Sequence, residues 1–539
     1  MPGGTPTPWS YFFIRLLFQF VLKIFYGTIV VENVDLIPET GEPCIVCANH
    51  SNSLTDALLL VTAIPSRRRN MLRLTAKSTQ FGKRTFTSWL IESAGTVPIK
   101  RRKDYNNAPV DNSIVMGNLM EALELGDAVC LFPEGASRYH PSIAPMKTGV
   151  ARIVSDVLSR NKDNPDVAIS ILTCSITYMH RQHFRSDVLV TFHPPTRFTP
   201  KDNPELLAPV EFEEIRLITA RMHQQISSGT FDSPSWDLIR IAKLCARMYA
   251  PLGTGMSLGD YVRVVRSFLD AFKLSLTGFD GRNGRTLTGS DTDKSDHRTE
   301  EEEELKKLRQ GLKAYQDALV RLGVKDDRIR RPLPRLTILR RIFIRLTWSL
   351  LLVCISLPGL LLWLPIFAAT YIGVRNFTKT GPIWDTWDEI AQYKLVYGLI
   401  SGICVWLGCM LVTFPIAFLT AVVVPVVMWM TLRWMEDAIS SFRAFSALVR
   451  LFLVGTTTLQ EMGHVRQELY QGVMKLAKAL GLPNDPEAYF AESGGTEKGR
   501  VRGSWESKAK YFSIRRRRKR DWNETLRLYD KVDYPEEGL

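Results

Sequence analysis

The sequence predicts an α/β domain, a mixed sheet flanked by helices, followed by a C-terminal helical transmembrane region. Between Asn33 and about Pro195, short β-rich runs alternate with helix-like runs, the pattern of strands joined by helices. No charged residue occurs from Leu346 to Val374 or from Leu395 to Leu432. Each stretch exceeds the roughly 20 residues that cross a hydrocarbon core. Chain-wide averages hide this division: 539 residues are 45% apolar and 23% charged, with a mean hydropathy of -0.04. Those averages exclude a disordered, collagen-like or small disulfide-stapled chain.

The segment 1–31 is apolar from Trp9 to Val31 but carries Arg15 and Lys23. On a helix Arg15, Gln19 and Lys23 follow one face, which reads as a membrane-interfacial helix, with a full span as the alternative. The α/β domain with trailing helices covers 32–276. Its expected strands are Cys44–Ala48, Gly95–Ile99, Ala128–Phe132, Val167–Tyr178 and Asp187–Phe192. Its expected helices are Leu54–Val61, Ile114–Leu125 and Val150–Leu158.

Residues 277–304, rich in Gly, Ser, Thr and Asp and ending in Glu300–Glu304, read as a flexible acidic insertion. An amphipathic helix and basic linker follow over 305–345. There Leu305, Leu308, Leu312, Tyr315, Leu319 and Leu322 form a seam against another helix or the main domain. The transmembrane region is 346–432, and 433–539 is a helical tail holding the basic run Arg515–Arg520, suited to anionic headgroups. Seven arginines from Arg328 to Arg345 precede the first apolar stretch, and Arg433, Arg443 and Arg450 follow the second. The positive-inside rule then puts both outer flanks in the cytosol and the middle loop on the lumenal side. Pro415 and Pro425 leave the second stretch as one kinked span or a span plus an interfacial piece. A hairpin there would give three crossings.

The net charge of +14 fits anionic membranes or phosphorylated substrates. Nucleic acid is not expected as a partner, because no base-reading motif is present. Cys44-Ile-Val-Cys47 has dithiol spacing but sits in a strand-like run, so reduced buried thiols are expected.

Three clusters carry residues suited to chemistry. In Asn49-His50-Ser-Asn-Ser-Leu-Thr-Asp56, Ser53 is placed to cap the following helix, with Asp56 at its third position. A histidine held by a carboxylate is a suitable general base for an alcohol; a purely structural pair is the competing reading. In Leu131-Phe-Pro-Glu-Gly-Ala-Ser-Arg138, a tight turn exposes Glu134 to accept from a substrate hydroxyl. Gly135 permits close approach there, and Ser137 is placed to contact an anion. Gly95-Thr-Val-Pro-Ile-Lys-Arg-Arg-Lys103 offers Arg101 and Arg102 as a phosphate clamp, with Lys147 as a further side. A solvated charge run is the alternative reading.

Taken in order, these blocks resemble the glycerolipid acyltransferase family, which moves acyl chains from coenzyme A thioesters to hydroxyls of phosphorylated glycerol backbones. The matching positions are His50 and Asp56, Gly95 through Arg101, and Phe132 through Gly135. A fourth block near Ile171–Ile176 lacks the usual proline, and five residues rather than four separate His50 from Asp56. Fungal endoplasmic-reticulum glycerol-3-phosphate/dihydroxyacetone-phosphate acyltransferases are the most similar group, sharing the run Tyr178–Arg185 and the long C-terminal membrane region.

The resemblance implies direct transfer from acyl-CoA to the sn-1 hydroxyl of glycerol 3-phosphate or of dihydroxyacetone phosphate, with His50 as base and Asp56 orienting it. Arg101, Glu134 and Gly135 would hold the acceptor, to which charge and proximity add Arg102, Ser137 and Lys147. No metal or cofactor is required beyond acyl-CoA as co-substrate. The implied location is the endoplasmic reticulum membrane, multi-pass, with catalytic domain and tail facing the cytosol. An sn-2 acyltransferase acting on lysophosphatidic acid and a catalytically silent membrane scaffold are the alternatives.

Overall fold

The computed structural model describes residues 3–84, 86–100, 112–164, 166–251, 254–277, 292–330, 333–381 and 386–493. The chain divides into two compact units. The first comprises Met1–Asp232 and Thr370–Leu399, the second Ser233–Ala369 and 400–498. The helices from Ser233 onward belong to the second unit.

The first unit is built on a mixed sheet. Its strands are β1 (Thr28–Glu32), β2 (Cys44–Ala48), β3 (Leu72–Arg73), β6 (Ala128–Leu131), β7 (Ile169–Tyr178), β8 (Asp187–Phe192) and β9 (Thr196–Phe198). The order is β1-β8-β7-β2-β6-β3, with β9 also on β7. Strand β2 lies parallel to both β6 and β7, whereas β8 returns antiparallel to β7. All residues of β2, β6, β7 and β8 are buried, because helices cover both faces. This is why β2 and β6 read as continuous apolar runs instead of alternating ones. A separate parallel pair joins β4 (Thr75–Lys77) to β5 (Val97–Ile99).

Strand alternation sends Cys44 and Cys47 to opposite faces. Cys44 belongs to the core under α1 (Trp9–Phe25) and α2 (Leu54–Ala63). Cys47 joins the core under α4 (Ser113–Glu124), α5 (Gly149–Arg160) and α6 (Phe212–Ser228), beyond the short α3 (Phe86–Ser93). Both thiols are free, and burial pushes Cys44 up to about 11, which keeps it protonated and inert.

Helix α1 corrects an expectation. Arg15 does not face water: it is 7% exposed and donates to the carbonyls of Ile64, Arg69 and Asn70. The outward face is instead apolar, with Trp9, Phe12, Phe13, Leu16 and Phe20 exposed. Such a surface suits a bilayer interface better than a charged one would.

In the second unit, α7 (Trp236–Tyr249), α8 (Leu258–Thr277), α9 (Thr292–Leu322), α10 (Asp326–Arg330) and α14 (Thr456–Ala479) form a helical bundle. Helix α9 starts at Thr292, so the glutamate run expected in a loop is helical, and 278–291 lie outside the described residues. Within the seam Leu312, Tyr315 and Leu319 are buried, and Leu308 packs on Gly472 of α14.

Among the described residues, three helices are long and apolar enough to cross a membrane: α11 (Arg335–Thr378), α12 (Ile390–Val412), and α13 (Ala417–Val454) with the short turn before it. The second charge-free stretch is therefore broken at Thr413–Ile416, where Pro415 sits in a 3-10 turn. Side chains such as Leu361, Val412, Phe414 and Phe418 are more than 70% exposed, an arrangement favourable only in an apolar solvent. A short α15 (Pro486–Glu492) follows, and the basic run 515–520 lies outside the described residues.

Candidate active site

Parallel pairing decides where the site forms. Cys47 of β2 is in register with Leu131 of β6 and with Thr173 of β7. The segments leaving these strands therefore emerge side by side at the carboxyl edge of the sheet, where open α/β folds bind ligands. His50 follows β2, Glu134 follows β6, and Tyr178 ends β7.

Asn49 fixes the first turn to β7 through its side-chain amide, which donates to Ile176 O at 3.0 Å and accepts from Ile176 N at 2.7 Å. His50 comes next, its ring stacked on Phe132 with centroids 4.1 Å apart. Its Nδ1 lies 3.0 Å from Asp56 Oδ2. The same oxygen accepts from Ser51 N at 2.9 Å and Asn52 N at 2.8 Å. The other oxygen, Oδ1, accepts from the Tyr178 hydroxyl at 2.6 Å. Asp56 is fully buried, while the His50 side chain is 18% exposed. A carboxylate with this many donors is held immobile.

The extra residue between His50 and Asp56 is absorbed in the turn, where Ser53 adopts φ +46°. Ser53 makes no capping bond. Asp56 instead collects the amides of Ser51 and Asn52, and the Ser53 hydroxyl donates to Gln392 Oε1 at 3.1 Å.

Glu134 also differs from expectation. Its Oε1 accepts from His50 N at 2.6 Å and its Oε2 from Ala144 N at 3.1 Å. It is 7% exposed, and burial raises its carboxyl above the ordinary 4.5 despite those bonds. Both oxygens thus hold loops, which makes Glu134 a brace for the His50 backbone. Gly135 takes φ +77°, and the Lys147 ammonium occupies the space a side chain there would fill. Lys147 N donates to Pro133 O at 2.8 Å, which anchors the Lys147 backbone to the turn. Arg101 and Arg102 lie outside the described residues.

Ser137 hydrogen-bonds Asp388 Oδ2, a partner that sequence reasoning missed. Asp388 belongs to the segment between α11 and α12, and this segment packs in the same unit as the sheet. Trp387 meets Tyr139 edge-on at 4.9 Å, and Lys394 donates to Gln182 O. Ala391 and Leu395 enter the core beside α2. Asp388 is 3% exposed, and desolvation raises its carboxyl above the ordinary 3.8. This link is thus part of the same compact unit as the sheet. Asp388 thus engages Ser137, and Glu389 lies 3.9 Å from Lys77.

Residues 28–177 match the family model described as Acyltransferase, and residues 295–380 match the Glycerol-3-phosphate acyltransferase 2 C-terminal domain. A Schizosaccharomyces pombe protein described as an uncharacterized acyltransferase is 23% identical over 70% of this chain and 56% of its own length. Glycerol-3-phosphate O-acyltransferase 2 of Saccharomyces cerevisiae is 23% identical over 69% of this chain and 47% of its own. Glycerol-3-phosphate O-acyltransferase 1 of the same yeast is 23% identical over 54% and 36%. The chain spans about half the length of the first two relatives. Among solved structures, the 1-acyl-sn-glycerophosphate acyltransferase PlsC of Thermotoga maritima aligns with a TM-score of 0.29 and 19% identity, over 40% of this chain and 76% of that one. With a histidine–aspartate pair at the edge of its sheet and these two matches in sequence, the chain carries a PlsC-like acyltransferase domain over residues 28–177 and a glycerol-3-phosphate acyltransferase 2 C-terminal domain over residues 295–380.

Proposed function

We propose that the protein transfers an acyl chain from acyl-CoA to the sn-1 hydroxyl of glycerol 3-phosphate, giving lysophosphatidic acid at the endoplasmic reticulum membrane with its catalytic domain facing the cytosol. Dihydroxyacetone phosphate is the second acceptor to test. The observation that carries this reading is the 3.0 Å contact between His50 Nδ1 and the fully buried Asp56, and the names of the yeast relatives support the acceptor.

A proton on Nδ1, donated to Asp56, leaves the Nε2 lone pair as the base. The acceptor oxygen attacks the thioester carbonyl carbon while its proton passes to Nε2. The tetrahedral adduct then expels the coenzyme A sulfur, which takes that proton and leaves as the thiol. Lys147 beside Gly135 supplies a positive charge for the acceptor phosphate, and Arg101 and Arg102 are proposed to add to it.

Membranes containing the protein, given labelled acyl-CoA with glycerol 3-phosphate, dihydroxyacetone phosphate or lysophosphatidic acid in parallel, test the assignment. Product is expected with the first acceptor and none with folded His50→Ala. A preference for lysophosphatidic acid would move the reading to sn-2 acylation, and product from His50→Ala would remove the mechanism.

A further inference from the structure

A second charged cavity lies far from His50 in sequence and within the other unit. It has a volume of about 550 Å3 and is lined by Arg328, Arg341 and Arg345 together with Ile344, Trp348 and Leu448. We propose that it binds the phosphate-bearing headgroup of an anionic phospholipid.

The cavity is built rather than incidental. Arg328 sits on α10, which is pinned by a buried bidentate ion pair. Asp326 accepts from Arg466 Nε at 2.8 Å and Nη2 at 3.1 Å, and from the Tyr315 hydroxyl at 2.9 Å. Arg341, Arg345 and Trp348 are spaced four and three residues apart, on one face of α11. Ser349 Oγ donates to Ala438 O at 3.0 Å, which sets α11 antiparallel to α13 and brings Leu448 opposite the arginines. Rigid arginine forks pair with phosphate oxygens two at a time, and several converging on one cavity hold a multiply charged group.

The apolar wall selects the lipid over a free anion. Arg345 immediately precedes the charge-free run that opens at Leu346. Trp348 is in its first turn, the depth at which tryptophan marks a membrane–water boundary. Leu336, Phe343, Ile344 and Leu350 around it are exposed. A headgroup here would place its phosphate among guanidinium groups and its glycerol and chains against Ile344, Trp348 and Leu448. Basic pockets at helix ends recognise phospholipid headgroups in this way.

The test uses full-length protein purified in detergent and offered equal amounts of phosphatidic acid and phosphatidylcholine with matched chains. Retained lipid is quantified by mass spectrometry. Preferential retention of phosphatidic acid is expected, falling several-fold in Arg341→Gln/Arg345→Gln and only partly in the corresponding lysine pair. Excess inorganic phosphate should leave the preference in place. Unchanged retention in the glutamine pair, or displacement of the lipid by inorganic phosphate, overturns the proposal. Arg341→Gln alone, at an exposed position, serves if the pair is unstable. Because the readout is lipid and not product, it stands whether or not the acyl-transfer assignment holds.

Discussion

The Tyr178 hydroxyl donates to Asp56 Oδ1 at 2.6 Å from the end of a strand 122 residues further along the chain. Burial raises the phenol well above its ordinary value, and the neighbouring Asp56 charge adds to that shift, so the hydroxyl remains a donor. Tyr178→Phe removes one donor from a buried carboxylate, a loss of about 1.5–3 kcal/mol. If that loss falls on the orienting of His50, kcat drops roughly ten- to a hundredfold. Steady-state rates of the purified variant check this, and an unchanged kcat would show that the remaining donors suffice.

Asp56→Asn should be more severe than Tyr178→Phe. An amide at this position can present N–H to Nδ1 and favour the tautomer whose Nε2 carries the proton, which is no base. General-base contributions run at about 10²–10⁴ in rate, and a fall within that range is expected. Comparison with His50→Ala decides the role: a loss in Asp56→Asn much smaller than this would make the aspartate a structural residue of the turn.

Glu134→Gln separates bracing from acceptor binding. Both Glu134 oxygens accept main-chain N–H groups, and an amide can satisfy only one of them without opposing donors. The displaced His50 backbone should lower kcat with little change in KM for the phosphorylated acceptor. A selective rise in that KM would instead return Glu134 to the acceptor-binding role its motif suggested. Lys147→Gln is the companion measurement, expected to raise KM first.

The Asp388 carboxyl couples stability to pH. Its pKa in the folded chain lies above the ordinary 3.8 because burial penalises the charge, so the folded state holds the proton more tightly than the unfolded one. The corresponding stabilisation is complete below 3.8 and is lost as pH rises through the raised folded value. Asp388→Asn removes this loss. Thermal unfolding at a series of pH values should therefore show wild type losing ground to the variant as pH climbs, and a constant difference between them would sink the idea.

Local blocks were the legible part of the site. His50, Asp56, Glu134 and Gly135 each lie within a few residues of a strand end, so motif and strand together place them. Tyr178 and Asp388 were not legible, because their contacts join segments 122 and 251 residues apart. Periodicity found the polar stripe of α1 but could not tell which side faced the core. The carbonyls at the end of α2 make burial of Arg15 favourable, and the aromatic side then turns outward. The Ser53 cap failed for a related reason: two backbone amides reached Asp56 first, and Gln392 took the hydroxyl.

The Thr386–Leu399 segment makes anchor and active site inseparable. A fragment ending before residue 335 would lose Asp388, Gln392 and Lys394 along with the apolar helices, leaving Ser137, Ser53 and Gln182 without these partners. Failure of such a fragment would be no evidence that the bilayer itself takes part in catalysis. In the intact chain, the residues at the start of α12 are structural parts of the turns that carry His50 and Glu134: Gln392 accepts from the Ser53 hydroxyl and Asp388 from the Ser137 hydroxyl.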